Sequence, residues 1–318
     1  MTKQHESPYS LEYRLRKYAK LALNYLFMGV IGFFFLFPLI FMLVSSVKNS
    51  EMQVTTDMST LYAFIPRGDL GFQNYRDVFQ QTNFGQLMFN SVFIVGTMVI
   101  LGLFINSLIA YALARLEYKG RRTILSVIVA LIIIPFQSVA VPLLLLVNNL
   151  PWIDGSTTWL DSYHVQIIPF IADAFSIYLF YQFFLGIPRE LEEAALVDGA
   201  SLFRIFWNIV LPLSRPVFAT VAILQFLTHW GDFLWPLMVT RGPDVRPLTI
   251  GMQAFFGQDP RLWGDLMAFA SMITVPVLIV FLMFQKWLVQ SVATSRIKRA
   301  KKGTYMAKTS TCFRQSPR

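Results

Sequence analysis

Hydrophobic positions in this chain gather into long runs, roughly 22–47, 87–114, 123–147, 164–186, 216–239 and 263–289, separated by shorter polar stretches. About 20 apolar residues, rising 1.5 Å each, cross the ~30 Å hydrocarbon layer of a bilayer. The pattern therefore predicts an all-α polytopic membrane protein with six transmembrane helices. Each run is expected to be a continuous helix that satisfies its backbone hydrogen bonds internally, as lipid demands. Pro38, Pro135, Pro142, Pro169 and Pro276 fall inside or near the runs. They are expected to kink helices, since proline lacks a donor and crowds the preceding turn.

Composition agrees with that reading. Of 318 residues 55% are hydrophobic and 14% charged, against ~25% charged in a soluble domain. The net charge of +9 is topological information and not a nucleic-acid footprint, because the cations cluster at the ends and in alternate loops. Lys3, Arg14, Arg16, Lys17 and Lys20 precede the first run, and Arg115, Lys119, Arg121 and Arg122 follow the second. The tail carries Arg296, Lys298, Arg299, Lys301, Lys302 and Lys308, whereas 148–163 has no Lys or Arg. By the positive-inside rule both termini are expected in the cytoplasm. The polar leader and the long first run argue against a cleavable signal peptide. The single cysteine, Cys312, allows neither an intrachain disulfide nor a cysteine metal site.

Between the fourth and fifth runs lies EAALVDGASLFRIFWNIVLP, residues 193–212. Helix formers fill Arg189 to Val197, with Glu190, Glu192 and Glu193 in the opening turns, where acids suit the positive end of the helix dipole. Ala194 and Ala195 are small enough for a partner surface to approach closely. Gly199 fits a helix C-cap at positive φ, and a second helix is expected from about Ser201 to Ile209, before Pro212. The product is a short helix-turn-helix across the membrane face. An ordinary solvated amphipathic loop is the alternative for these residue types taken without their spacing.

No Gly-x-x-x-x-Gly-Lys-Ser/Thr phosphate loop occurs, so energy from ATP would have to come through another subunit. Asn90, Asn106, Gln137, Asp173, Gln182, Gln225, His229 and Asp232 are polar residues inside or near the runs. Such groups usually face a bundle interior or a watery path. The stretch Gln225 to Trp235, with His229, Trp230 and Asp232, mixes hydrogen-bonding groups and aromatic faces as a sugar would require; an interfacial aromatic belt accounts for it equally well. Asp173 reads as a packing or cavity residue. His5, His164 and His229 are too scattered for a metal cluster, and no catalytic constellation is evident. The basic tail could meet anionic lipid headgroups or a partner protein.

Glu193-Ala194-Ala195, Gly199, and Ile209-x-Leu211-Pro212 together match a known signature. The segment resembles the EAA loop of binding-protein-dependent ABC importer permeases. The likeness extends over nearly the whole chain, through PLIFMLVSSVK, FQNYRDVF, NSVFIVG, AYALARLEYKGRR, IPFQSVAVPLLLL, WGDFLWPLMV and WLVQSVATSRIK. These resemble the carbohydrate-uptake branch, in particular its smaller maltose-type subunit. The resemblance implies a type I permease core and four kinds of partner. They are a second permease subunit, two ATPase subunits that bind ATP and Mg, an extracytoplasmic solute-binding protein, and membrane lipid. It further implies that Glu193, Ala194, Ala195, Asp198 and Gly199 meet the ATPase, with Ile209, Leu211 and Pro212 completing the coupling element. The loop 240–262 occupies the place of one that reaches into the binding protein in the maltose-type member, and the tail runs on beyond Lys298, near which relatives commonly end.

The expected organisation is a cytoplasmic leader 1–21, a first helix and outer loop 22–86, a permease core 87–290 holding the EAA loop 187–215, and a cytoplasmic tail 291–318. The expected function is a non-enzymatic importer subunit in a bacterial or archaeal cytoplasmic membrane. It would need no cofactor, metal or nucleic acid of its own and would carry a sugar or related polyol. No Arg or Lys lies mid-run, which tilts the reading to a neutral sugar over glycerol phosphate. An ion-gradient transporter would instead need a buried relay, and a lipid-linked transferase an acidic or histidine cluster at the membrane face.

Overall fold

The computed structural model describes residues 11–257 and 261–285. The first ten residues, 258–260, the end of the sixth run and the tail from 286 on, including Cys312 and the tail cations, lie outside the described residues. Helices follow one another in the order α1 (Leu11–Ser46), α2 (Glu51–Asp57), α3 (Gln73–Gln81), α4 (Phe84–Arg115), α5 (Arg121–Leu131) and α6 (Phe136–Asn148). Then come α7 (Tyr163–Ile167), α8 (Ala174–Leu185) and α9 (Glu190–Val197). Next are α10 (Leu202–Leu213), α11 (Arg215–Trp230), α12 (Leu234–Val239), α13 (Leu248–Gly251), α14 (Gln253–Phe256) and α15 (Trp263–Gln285). Among the described residues there is no strand beyond an isolated bridge between Lys48 and Leu70.

Among the described residues four helices are long and apolar enough to cross a membrane, Leu15–Ser46, Phe84–Arg115, Tyr163–Leu185 and Trp263–Gln285; counting each of two bent pairs as one span gives up to six. The first and second runs and the described part of the sixth thus appear as expected, while the fourth is α7, a 3-10 turn at Ile168–Phe170 and α8, interrupted at Ile171–Asp173. The other two runs also correct the expectation of continuous helices. The third is α5 and α6, bent by 104°. Pro135 has no N–H and forces Ile134 away from helical geometry, while α5 closes in tight turns from Ile133 to Ala130 and Ile134 to Leu131. The fifth stops at Trp230, where Gly231 caps α11, and resumes as the short α12. At its other end α11 bends by 79° from α10 at Ser214, next to Pro212 and Pro216.

The chain divides into two compact units. The first gathers residues up to Gln81 with Phe255–Met272. Here α1 presents an apolar surface all round, and none of its most hydrophobic window is buried by this chain, as suits a helix solvated by lipid. At its end Lys48, buried, donates to Asp57 Oδ2 at 2.8 Å and to the Tyr62 carbonyl at 2.9 Å. Arg67 completes the knot by pairing with the other Asp57 oxygen and lying 3.7 Å over the Tyr62 ring. The Arg67 guanidinium, then the Lys48 ammonium, hold the Asp57 carboxyl far below the usual carboxylate range, so the knot stays charged. Asn74 donates to the carbonyls of Ser46 and Lys48. The Glu51 carboxylate accepts the N–H groups of Trp263 and Gly264, two of the orphan donors of a helix start.

The second unit comprises Thr82–Ala254 and the residues from Ile273 on. In it α4 packs along α8 and α11. Its core joins Ala110, Leu113 and Ala114 of α4 to Phe180 and Phe184 of α8 and to Ile205, Phe206 and Val210 of α10. A Cβ on Gly102 would come within 2.8 Å of Gln225 Oε1, so glycine there is what admits α11 to close approach. A second cluster sets Trp235 of α12 against Val147 and Val165.

Candidate functional site

The segment between α8 and α11 folds as an elbow. Glu190, Glu192 and Glu193 occupy the first turn of α9, and Asp198 is its C-cap. Gly199 follows at φ +80°. Its N–H donates to Leu196 O at 3.0 Å, and Ala200 N–H donates back to Ala195 O at 2.9 Å. This is the paired bonding of a Schellman cap, which needs a left-handed residue at that point. Ser201 Oγ then accepts from Arg204 N and opens α10. A π-turn over Phe206–Val210 lies within α10.

The elbow has two faces. Glu193, Ala194, Leu196, Asp198 and Gly199 are exposed, and Val197 is 89% exposed. Phe203 and Trp207 stack outward on α10, their rings 6.1 Å apart. On the inner face Ala195, Ala200, Ile209 and Leu211 pack against the core shared by α4, α8 and α10, while Pro212 stands exposed at the bend.

Glu192, which sequence reasoning passed over, points inward and is 7% exposed. Its Oε1 lies 2.6 Å from Arg115 Nε at the end of α4, and its Oε2 accepts the Tyr111 hydroxyl at 3.1 Å. The ion pair is close but not aligned as a directed hydrogen bond; the directed bonds come from Tyr111 and from Arg115 Nη2 to Ile187 O at 2.8 Å. Arg115, counted above as a loop charge, is therefore buried against α9. Tyr111 and Arg115 stand one helical turn apart on one face of α4, and that i, i+4 pairing facing an acidic turn was the available signal. Removing one partner of a buried pair costs ~3–5 kcal/mol, because the other charge is left uncompensated.

The residues considered for a path divide. His229, Trp230, Asp232 and Trp235 meet around one small cavity with Ser91, Gln166 and Thr249. Its volume of about 20 Å³ suits a single water and not a sugar ring. Gln225 does not line it; its Nε2 donates to Ser176 Oγ at 3.2 Å between α11 and α8. Asp173 is a helix cap: its carboxylate accepts Ser176 N–H at 2.7 Å, and its own N–H donates to Asn106 Oδ1. His164 stacks on Trp152, with ring centres 4.1 Å apart.

Trp235 is committed to packing. It is 1% exposed, lies edge-on to Phe136 and Phe170, and donates Nε1–H to Val165 O at 2.9 Å. Trp235→Phe shrinks the two-ring indole to one ring and loses that bond, so the cavity and the unpaired carbonyl together should cost about 2–4 kcal/mol while leaving uptake per assembled transporter unchanged. Thermal unfolding in detergent checks the first part. A loss of uptake at unaltered stability would return Trp235 to the path.

Asn90 was legible in the sequence as an intramembrane polar residue, but its partners were not. Asn90 of α4 is 0% exposed. Its Nδ2 donates to Asp244 O and Arg246 O at 2.8 Å each, while its Oδ1 accepts the Tyr163 hydroxyl at 2.7 Å and Gln86 Nε2 at 2.9 Å. Leu248 N–H donates to Ser91 Oγ, Gln166 donates to Val245 O, and the Asp161 carboxylate accepts the N–H groups of Arg241 and Gly242. The first part of the 240–262 loop is thereby pinned by side chains, not left to extend freely.

Known proteins resemble this arrangement. An arabinooligosaccharides transport system permease protein of Bacillus subtilis (strain 168) is 31% identical over 88% of this chain and 96% of its own. A diacetylchitobiose uptake system permease protein of Streptomyces coelicolor is 32% identical over 80% of this chain and 82% of its own. In fold, the chain superimposes at a TM-score of 0.71, with 24% identity, on a bacterial ABC transporter involved in the import of the acidic polysaccharide alginate, covering 87% of this chain and 98% of that one. Residues 102–294, which hold the whole elbow, match the model of a single family. The chain belongs to the binding-protein-dependent transport system inner membrane components, the multi-pass permeases of ABC importers.

Proposed function

We propose that this chain is one permease subunit of an ATP-driven importer, that it forms half of the translocation path for a sugar or related polyol, and that it couples to a separate ATPase through the α9–Gly199–α10 elbow. The observation that carries the reading is that elbow: a left-handed glycine cap presents small and apolar residues outward while the inner face is fixed to the core. With α5 and α6 as one bent crossing, α11 as the fifth and α10 left at the membrane face, six crossings put both termini and the elbow in the cytoplasm, in keeping with the loop charges. A second permease, two ATPase subunits and an extracytoplasmic binding protein complete the machine. ATP binding closes the ATPase dimer, the elbow rides with it, and the bundle turns outward towards the docked binding protein. Hydrolysis resets it. This chain supplies no catalytic residue and needs no cofactor of its own. An oligosaccharide cargo is supported by the names of its relatives, and selectivity rests largely with the binding protein.

The test is uptake of radiolabelled arabinotriose, with maltotriose as second probe, into vesicles holding the full set of subunits. Uptake should require ATP and the binding protein. If this chain alone moves solute without an ATPase, the ion-gradient reading replaces this one.

A further inference from the structure

α4 runs unbroken and without proline for 32 residues, a length of roughly 48 Å. Both its ends are fastened to loops by buried polar side chains. Near its C-terminal end Arg115 and Tyr111 hold Glu192 of the elbow, with Arg115 also bonded to Ile187 O, the residue that leads into it. Near its N-terminal end Asn90 holds the backbone of Asp244 and Arg246, and Ser91 accepts from Leu248. Between these ends α4 lies against α8 and α11, with Gly102 letting Gln225 approach. A rigid element fixed at two ends moves both loops together, whichever one is displaced.

We propose that α4 is the rod that joins the ATPase face to the binding-protein face, with Glu192 and Arg115 as its inner joint and Asn90 as its outer joint. The inference rests on the proposed function and adds the route by which the two faces communicate. These are positioning residues: they touch neither nucleotide nor solute. Coupling between two sites is reciprocal in binding free energy, so the same joints carry the effect of a docked binding protein on nucleotide binding inward to the ATPase.

The test uses the complete transporter in proteoliposomes, with results normalised to assembled complex. It reads basal ATP hydrolysis, stimulation of that hydrolysis by the binding protein, and arabinotriose taken up per ATP. Glu192→Gln and Asn90→Ala should each retain basal hydrolysis and lose stimulation by about tenfold, within the range of typical coupling energies. The double variant should be no worse than the more severe single one, because cutting one rod twice adds nothing. Arg115→Lys, which keeps the charge, should retain part of the stimulation.

If Glu192→Gln does not assemble, Tyr111→Phe takes its place and should lose stimulation about threefold, in keeping with one hydrogen bond. Stimulation within about twofold of the parent in an assembled variant would overturn the proposal, as would losses that multiply in the double variant, the behaviour of independent sites. So would uptake that falls only in step with recovered complex. Absence of any ATP-driven uptake in the parent complex would instead refute the proposed function itself. Loss of coupling in an elbow variant, with Glu192→Gln unaffected, would refute the rod alone.

Discussion

Gly199→Val should reduce ATP-driven uptake by about 10- to 100-fold while the chain still inserts and its core still packs. The argument is conformational. Nothing lies within 4 Å of the Cβ that a substitution would add, so there is no clash to relieve. The residue instead sits at φ +80°, where an L side chain costs about 1–2 kcal/mol and a β-branched one more. If Val escapes to negative φ, the two capping bonds from Gly199 and Ala200 break, at about 0.5–1.5 kcal/mol each. Val takes the cheaper of these alternatives, roughly 1–3 kcal/mol, which lowers the equilibrium constant for the formed elbow by a factor of about 5 to 150. Gly199→Asn supplies the contrast, since Asn tolerates the left-handed region and should retain most of the activity. Uptake by the three proteins in matched vesicles decides the matter. Equal activity of Val and Gly would mean that the elbow's shape is not used.

Asn90→Ala should destabilise the second unit by about 2–6 kcal/mol. Two carbonyls, Asp244 O and Arg246 O, lose their shared donor, and each buried group left unpaired costs about 1–3 kcal/mol. The Tyr163 hydroxyl and the Gln86 amide lose their acceptor as well. The 241–249 segment should then be released from α4 and become a target for limited proteolysis at Arg241 and Arg246. Thermal unfolding gives the magnitude, and the site of cleavage gives the location. A variant that unfolds at the parental temperature and resists the protease would show that Ser91, Gln166 and Asp161 hold the loop without Asn90.

What was legible beforehand follows from the range over which each signal acts. The long spans announced themselves because hydropathy is a property of neighbours in sequence. The Gly199 cap did too, because its spacing from the acidic first turn of α9 is local. A kink at Pro135 was anticipated from the missing donor, though not its sharpness, while the interruption at Gly231–Asp232 was hidden, since averaged hydropathy continues smoothly across it. Arg115 was taken for a topological charge: nothing near it in sequence reveals Glu192 across 77 positions. Glu192 itself was hidden among three glutamates, of which helix geometry turns one inward. The Asn90 network could not be anticipated, because a side chain that bonds to backbone more than 150 residues away leaves no pattern in the acceptor's sequence. Trp235 illustrates a different ambiguity, since an aromatic ring suits a sugar face and a packed core equally well.

The bare first helix has a consequence of its own. The apolar part of α1, residues 22–46, spans about 25 residues, roughly 38 Å of helix against ~30 Å of hydrocarbon. Its end is held by the Lys48–Asp57–Arg67 knot, yet among the described residues none of its most hydrophobic window is buried. An over-long helix hinged at one end meets hydrophobic mismatch by leaning. The inclination of α1 is thus written by the thickness of the surrounding bilayer.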